Sequence, residues 1–220
     1  MTHTIKKKGP ADIKRYFDLL FKRFGPQSWW PAKSRFEVIV GAILTQNTNW
    51  TNVEKAISRL KEARCLTPSA IHQIEAGTLA EHIRPAGYFN IKARRLKHFT
   101  AHLFTHHGGS LGKMLGQRDG LRDELLSING IGPETADSIM LYAGGHPEFV
   151  VDAYTKRIFS RHGLIDANAS YDETKAVFTY ALPGETGLFN EYHALIVRTA
   201  KEHCVKKEPR CGKCPLAGFL

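Results

Sequence analysis

Residues 126–159 read LSINGIGPETADSIMLYAGGHPEFVVDAYTKRIF, and the fold turns on how that stretch is parsed. Gly130 and Gly132 stand between two segments of helical periodicity. Glycine permits positive φ and close backbone approach. Pro133 follows, and proline suits the first turn of a helix, where its missing N–H costs little. The stretch therefore reads as helix, tight hairpin, helix. Free N–H groups at the start of the second helix can grip a phosphate, although an ordinary helix–helix turn fits the same pattern. Asp152 precedes another helical segment, Ala153 to Ser160. It reads either as a plain N-cap or as a catalytic carboxylate at a helix start.

Outward from this stretch the pattern stays helical. Ala11 to Phe24 sets Ile13, Tyr16, Phe17, Leu20 and Phe24 on one stripe. Ser34, with Glu37 three residues later, caps RFEVIVGAILTQ, which is apolar almost all round and so belongs at the centre of the fold. Thr51 is placed to cap NVEKAISRLKEA. Short helices are expected near Pro68–Ile74 and Thr78–Ile83, then a basic helix ended by Gly108 and Gly109. Leu121–Ile128, Pro133–Tyr142, Tyr154–His162, Tyr171–Leu182 and Leu188–His203 complete the set. With no strand-like alternation and no repeat, an all-α protein is expected.

The 220 residues carry 31 basic and 21 acidic side chains, a net charge of +10 that suits a polyanionic partner such as nucleic acid. No run of about 20 apolar residues is present, so no membrane span is expected. The start, MTHTIKKKGP, has basic residues but no apolar region behind them and does not read as a signal peptide. In TQNTNW, the polar Gln46 and Asn47 follow an apolar helix, and Trp50 is either a stacking residue or a core aromatic. Cys204, Cys211 and Cys214 have the spacing C-x6-C-x2-C, which points to a metal site more than to disulfides.

Taken together, FEVIVGAILTQNTNWTNVEKAISRL, LLSINGIGPETADSIMLYAGG, VVDAYTKRIFSR and CVKKEPRCGKCPL resemble, in the right order, the helix-hairpin-helix DNA glycosylase superfamily in its endonuclease III-like branch. The resemblance implies two helical domains: a six-helix barrel at 27–146 and a second domain joining 1–26 to 147–220. It implies an interdomain cleft for double-stranded DNA, a hairpin (Gly130, Gly132) on backbone phosphate and a damaged base flipped into a pocket. Asn47, with Gln46 beside it, matches the wedge that fills the vacated gap. Asp152 matches the catalytic carboxylate. Glu134 stands where bifunctional members carry a lysine, and glutamate cannot form a Schiff base; it is carried as a second catalytic candidate.

The resemblance therefore implies a monofunctional base excision glycosylase, nearest in character to small 3-methyladenine DNA glycosylases and acting on an alkylated purine. A mismatch or oxidised-base glycosylase with AP lyase activity is one alternative, and a non-catalytic DNA-binding protein is another. Trp29 and Trp50 are the first pocket candidates, with Trp30, Tyr16 and Phe17 behind them. The terminal motif implies a structural 4Fe-4S cluster on Cys204, Cys211 and Cys214 that supports the basic loop bearing Lys206, Lys207, Arg210 and Lys213. The family's fourth cysteine position falls on Leu220. A monomer is expected, in the cytoplasm and on the nucleoid if the source is prokaryotic.

Overall fold

A computed structural model describes residues 9–27, 29 and 32–219. Trp30, Leu220 and most of the basic N-terminal run lie outside the described residues. Among those described there is no strand. The all-α expectation holds. The chain divides into two compact units, Trp30–His146 and the pairing of Met1–Trp29 with Pro147–Leu220.

The first helix, α1, spans Pro10–Phe24, and α2 spans Arg35–Thr45 with every residue from Phe36 to Leu44 buried. Ser34 Oγ accepts from Glu37 N at 3.2 Å, as the cap reading expects. Glu37 itself is tied to Lys61 at 2.6 Å. α3, Trp50–Glu62, starts earlier than expected, because Asn49 and not Thr51 reaches the backbone N–H of Asn52, at 3.0 Å. Its buried Val53, Ala56, Ile57 and Leu60 follow helical spacing. α4 (Pro68–Gln73) and α5 (Ala76–His82) are capped by Thr67 and Glu75. The long α6 runs Phe89–His107 and ends on Gly108 in the left-handed conformation. α7, Leu111–Leu115, was not foreseen; Ser110 caps it. α8 (Leu121–Ser127) leads through the hairpin into α9, Pro133–Ser138. The expected regular helix to Tyr142 instead widens into a π turn over Ile139–Gly144, a feature frequent near functional sites.

A buried cation holds this unit together. Lys92 on α6 is 1% exposed. Its Nζ donates to Leu44 O at 2.8 Å, Thr48 Oγ1 at 2.9 Å and Ala86 O at 2.8 Å. Leu44 O is among the last carbonyls of α2, which lack intrahelical donors and favour a cation. Burial, aided by Arg95, brings the Lys92 ammonium down to about 8, so it stays charged at neutral pH.

In the other unit, α1 packs with α10 (Ala153–Arg161), α11 (Tyr171–Ala181) and α12 (Thr186–Glu202) around an aromatic core. Phe149 and Phe178 stack at 4.1 Å, and Tyr192 Oη donates to Ile13 O at 2.7 Å. Tyr16 is fully buried here, hydrogen-bonded to His162 Nδ1 at 2.9 Å.

The iron–sulfur expectation is corrected. A 4Fe-4S cluster takes four thiolates. Cys204, Cys211 and Cys214 share one terminal loop but do not bring all three sulfurs within 4.8 Å of one another; among the described residues only His102, His107 and Glu124 form such a ligand group. The fourth cysteine, Cys65, belongs to the Trp30–His146 unit and packs against its core. The basic loop is held instead by arginines: Arg157 Nε donates to Cys204 O at 2.7 Å, and Arg161 donates to Val205 O and Lys206 O at 2.8 and 2.9 Å.

Candidate functional site

The hairpin between α8 and α9 is fixed from three sides. Gly130 has φ +96, and a Cβ there would lie 2.3 Å from Arg95 Cγ. Gln46, at the end of α2, donates to Gly130 O at 3.0 Å and to Thr135 Oγ1 at 2.9 Å. Its carbonyl accepts from Arg95. The third hold is His98 Nδ1, which lies 3.1 Å from Asn129 O. Across the two hairpin helices, Arg122 Nε donates to the fully buried Asp137 at 2.8 Å.

Gly132 differs from its partner glycine. Its φ is −98 and ψ 178, a conformation open to any residue, and nothing lies within 4 Å of a Cβ built there. The surface at the start of α9 is therefore open at Gly132, whereas the turn itself requires the conformational freedom of Gly130. Gly130→Ala is expected to cost about 2 kcal/mol in urea unfolding, from the left-handed strain and the displaced Arg95. Gly132→Ala is expected to change stability by under about 0.5 kcal/mol, and any weakening of DNA affinity in that variant then reports close backbone contact.

Glu134 is exposed in the first turn of α9, where a carboxylate complements the positive helix end. Asn47 is exposed with φ +53, a non-glycine residue held in the left-handed region, and such conformations gather at functional sites. The structure thus separates the neighbours of the TQNTNW loop. Gln46 is committed to the hairpin, whereas Asn47 projects at the loop between α2 and α3. Trp50 opens α3, donates through Nε1 to Glu54 at 2.9 Å and packs against the hydrophobic core of its unit.

Asp152 occupies the N-cap of α10. Oδ1 accepts from Thr155 N at 2.7 Å and from Thr155 Oγ1 at 2.9 Å. Oδ2 lies 3.5 Å from His193 Nε2, with the carboxylate side chain 13% exposed. Burial pushes this carboxyl up, but the His193 and Thr155 interactions outweigh it and hold Asp152 below the ordinary aspartate range. Trp29 packs edge-on against His193 at 6.3 Å, so the histidine joins Trp29 to the carboxylate. The Trp29 Nε1 is buried without a hydrogen-bond partner among the described residues.

Sequence reasoning missed His193 and Arg95. His193 stands among the buried positions of α12, and a lone histidine on an apolar face carries no signal of its own. Arg95 sits among the basic residues of α6, where solvated charge is the ordinary reading. Asp152 with Trp29, and Gln46 with Gly130, are each brought together within one unit, whereas Glu134 and Asp152 belong to different units.

Comparison with known proteins places these features in a wider set. Residues 40–183 match the model of the HhH-GPD superfamily base excision DNA repair proteins. A protein of Methanocaldococcus jannaschii, provisionally named a DNA repair glycosylase, is 48% identical over 209 residues, covering 94% of each chain. Among solved structures, a Helicobacter pylori 3-methyladenine DNA glycosylase bound to 1,N6-ethenoadenine aligns with a TM-score of 0.76 and 29% identity, over 89% of this chain and 98% of that one. A trapped endonuclease III–DNA covalent intermediate aligns with a TM-score of 0.84 and 25% identity, over 97% and 96%.

Proposed function

Because the chain belongs to the HhH-GPD superfamily of base excision DNA repair proteins, we propose that it acts on double-stranded DNA as a DNA N-glycosylase, releasing a damaged base by hydrolysis. One observation carries this reading: a nearly buried carboxylate, Asp152, is kept ionised by Thr155 and His193 at the start of α10. As the N-glycosidic bond breaks, the base takes the bonding electrons and positive charge develops on the sugar. An ionised carboxylate favours that charge, most strongly where water is scarce. A water oxygen then bonds to the anomeric carbon and gives up a proton to solvent, while a base that was cationic departs neutral and any other base takes up a proton. The hairpin at Gly130–Gly132 would hold backbone phosphate and Asn47 would fill the gap left by the flipped base. Glu134 offers no amine, so no Schiff base forms at that position.

For the substrate we favour an alkylated purine. Such a base already carries positive charge and leaves without an added proton, which suits a site with one carboxylate and an aromatic ring, Trp29, close to it. Likeness to the 3-methyladenine glycosylase supports this. A mismatched or oxidised base, with lyase activity, is the second reading. The comparisons weigh toward it, since the endonuclease III structure aligns with the higher TM-score and over more of both chains taken together. Base release from duplexes bearing 3-methyladenine, 7-methylguanine, thymine opposite guanine, adenine opposite 8-oxoguanine, uracil or thymine glycol decides between them. Release from the alkylated duplexes alone supports the first reading, and release from a mismatch or thymine glycol overturns it.

The pH profile follows from Asp152. Its folded-state pKa is depressed, so the carboxylate is charged above the ordinary range and loses its charge only as pH falls through the lowered value. The acid limb of activity is therefore expected below about 3.9, the unperturbed aspartate value. Exchanging His193 for Gln removes a charge-favouring partner while burial remains, so the limb moves upward. A limb that does not move in H193Q shows that His193 does not position or charge-stabilise Asp152.

A further inference from the structure

We propose that His102, His107 and Glu124 form a binding site for a first-row divalent metal ion, of which Zn2+ is the natural probe, joining α6 to the first helix of the hairpin. His102 and His107 stand at the C-terminal end of α6, and Glu124 lies in the first turn of α8. The Nε2 atoms of both imidazoles converge on one carboxylate oxygen, Glu124 Oε1, at 2.7 and 2.5 Å. The side chains are 17%, 8% and 20% exposed, and their ligand atoms all lie within 4.8 Å of one another. The two histidines are five positions apart, roughly 140° around the helix at about 100° per residue, so they approach Glu124 from two sides.

The donor set is suited to the ion. Two imidazole nitrogens and a carboxylate oxygen are ordinary ligands of Zn2+ at about 2.0–2.1 Å, with a fourth position left to water. Tetrahedral ligands at that distance stand about 3.4 Å apart, so the observed group needs only to open slightly to admit an ion. Metal binding replaces the two shared N–H protons with the cation. The surroundings are those of a metal ligand shell too. Gln117 Nε2 lies 3.4 Å from His107 Nδ1; coordination through Nε2 puts the imidazole proton on Nδ1, where the Gln117 amide, turned to present its oxygen, accepts it. His106 packs on the His102 ring at 4.3 Å and fixes its plane.

The consequence is mechanical. α6 already touches the hairpin through Arg95 and His98. A metal at the far end of the same helix would fasten α8, and with it the entry to the hairpin, to this row of contacts. The site asks for no change in the chemistry at Asp152.

The test is Zn2+ binding by equilibrium dialysis, with thermal unfolding measured with and without the ion, on the full chain stripped of metal by chelator. The variants are H102Q, E124Q and, as a control for thiol binding, C204S/C211S/C214S. The expected result is one Zn2+ bound at free concentrations on the order of 10 µM, with a rise in Tm of several degrees. Binding persists in the triple cysteine variant and weakens at least tenfold in both H102Q and E124Q, which lose the Zn2+-dependent rise. Co2+ in the site shows no thiolate charge-transfer band. Zn2+ binding unchanged in H102Q and E124Q, or lost only in the cysteine variant, overturns the proposal, as does no binding to the wild-type chain. Each variant is compared with itself, with and without Zn2+, so a change in apo stability does not obscure the outcome.

Discussion

Asp152→Asn lowers the single-turnover rate of base release by about 10³-fold, the scale on which one preorganised charge-stabilising group acts. It leaves affinity for damaged duplex within about threefold, since phosphate contacts supply most of that affinity. The substitution separates the two tasks that one side chain performs. Asp152 Oδ1 caps α10 through Thr155 N, and asparagine caps as well as aspartate, so the unfolding midpoint changes little. What asparagine lacks is the negative charge that burial opposes and that His193 and Thr155 sustain. A purely structural cap would give the opposite pattern, with activity kept within tenfold. Single-turnover kinetics on a base-labelled duplex and a fluorescence binding titration read the two effects apart.

Lys92→Met destabilises the protein by about 3 kcal/mol, from hydrogen bonds to a charged donor lost at buried acceptors that keep their desolvation cost. Methionine preserves most of the volume, so the loss falls on the acceptors and not on packing. Leu44 O, Thr48 Oγ1 and Ala86 O all lose the same donor. Thr48 also donates to Ala86 O, so part of the network survives. At about 2–4 °C per kcal/mol for a chain of this size, Tm falls by about 6–12 °C. The chain has two compact units, and the transition that shifts is the one that melts residues 30–146. A shift under about 2 °C by circular dichroism would mean that water replaces the ammonium at no cost.

Most of the helical architecture was legible because its signals are local. Apolar spacing in α1 and α3, Ser34 before α2, and Gly108 after α6 each act within a turn or two of chain. The start of α3 was misplaced by a choice between neighbouring polar residues, which only the geometry of Asn49 resolves. The π turn at Ile139–Gly144 leaves no mark in a pattern of apolar residues that suits an α-helix equally well. Asp152 was legible as a cap and as a carboxylate, and it is geometrically both a cap and an ion. Its partner was not legible, since Asp152 and His193 meet only when α10 packs on α12. Gln46 shows the same limit. A polar residue after an apolar helix suits a wedge, but contacts 84 and 89 residues away bind its amide to the hairpin. The cysteine spacing misled for the converse reason: a local motif suggested a cluster, and the arrangement of the sulfurs does not supply one.

The most direct test of the account is single-turnover reaction with a duplex carrying 3-methyladenine, sampled with and without hot alkali and with borohydride present. The free base is expected to appear, the strand to stay intact until alkali is added, and borohydride to trap no protein–DNA adduct. Strand breaks without alkali together with a trapped adduct would contradict the hydrolytic reading built on Glu134 and Asp152; tight binding with no base released would contradict the glycosylase itself.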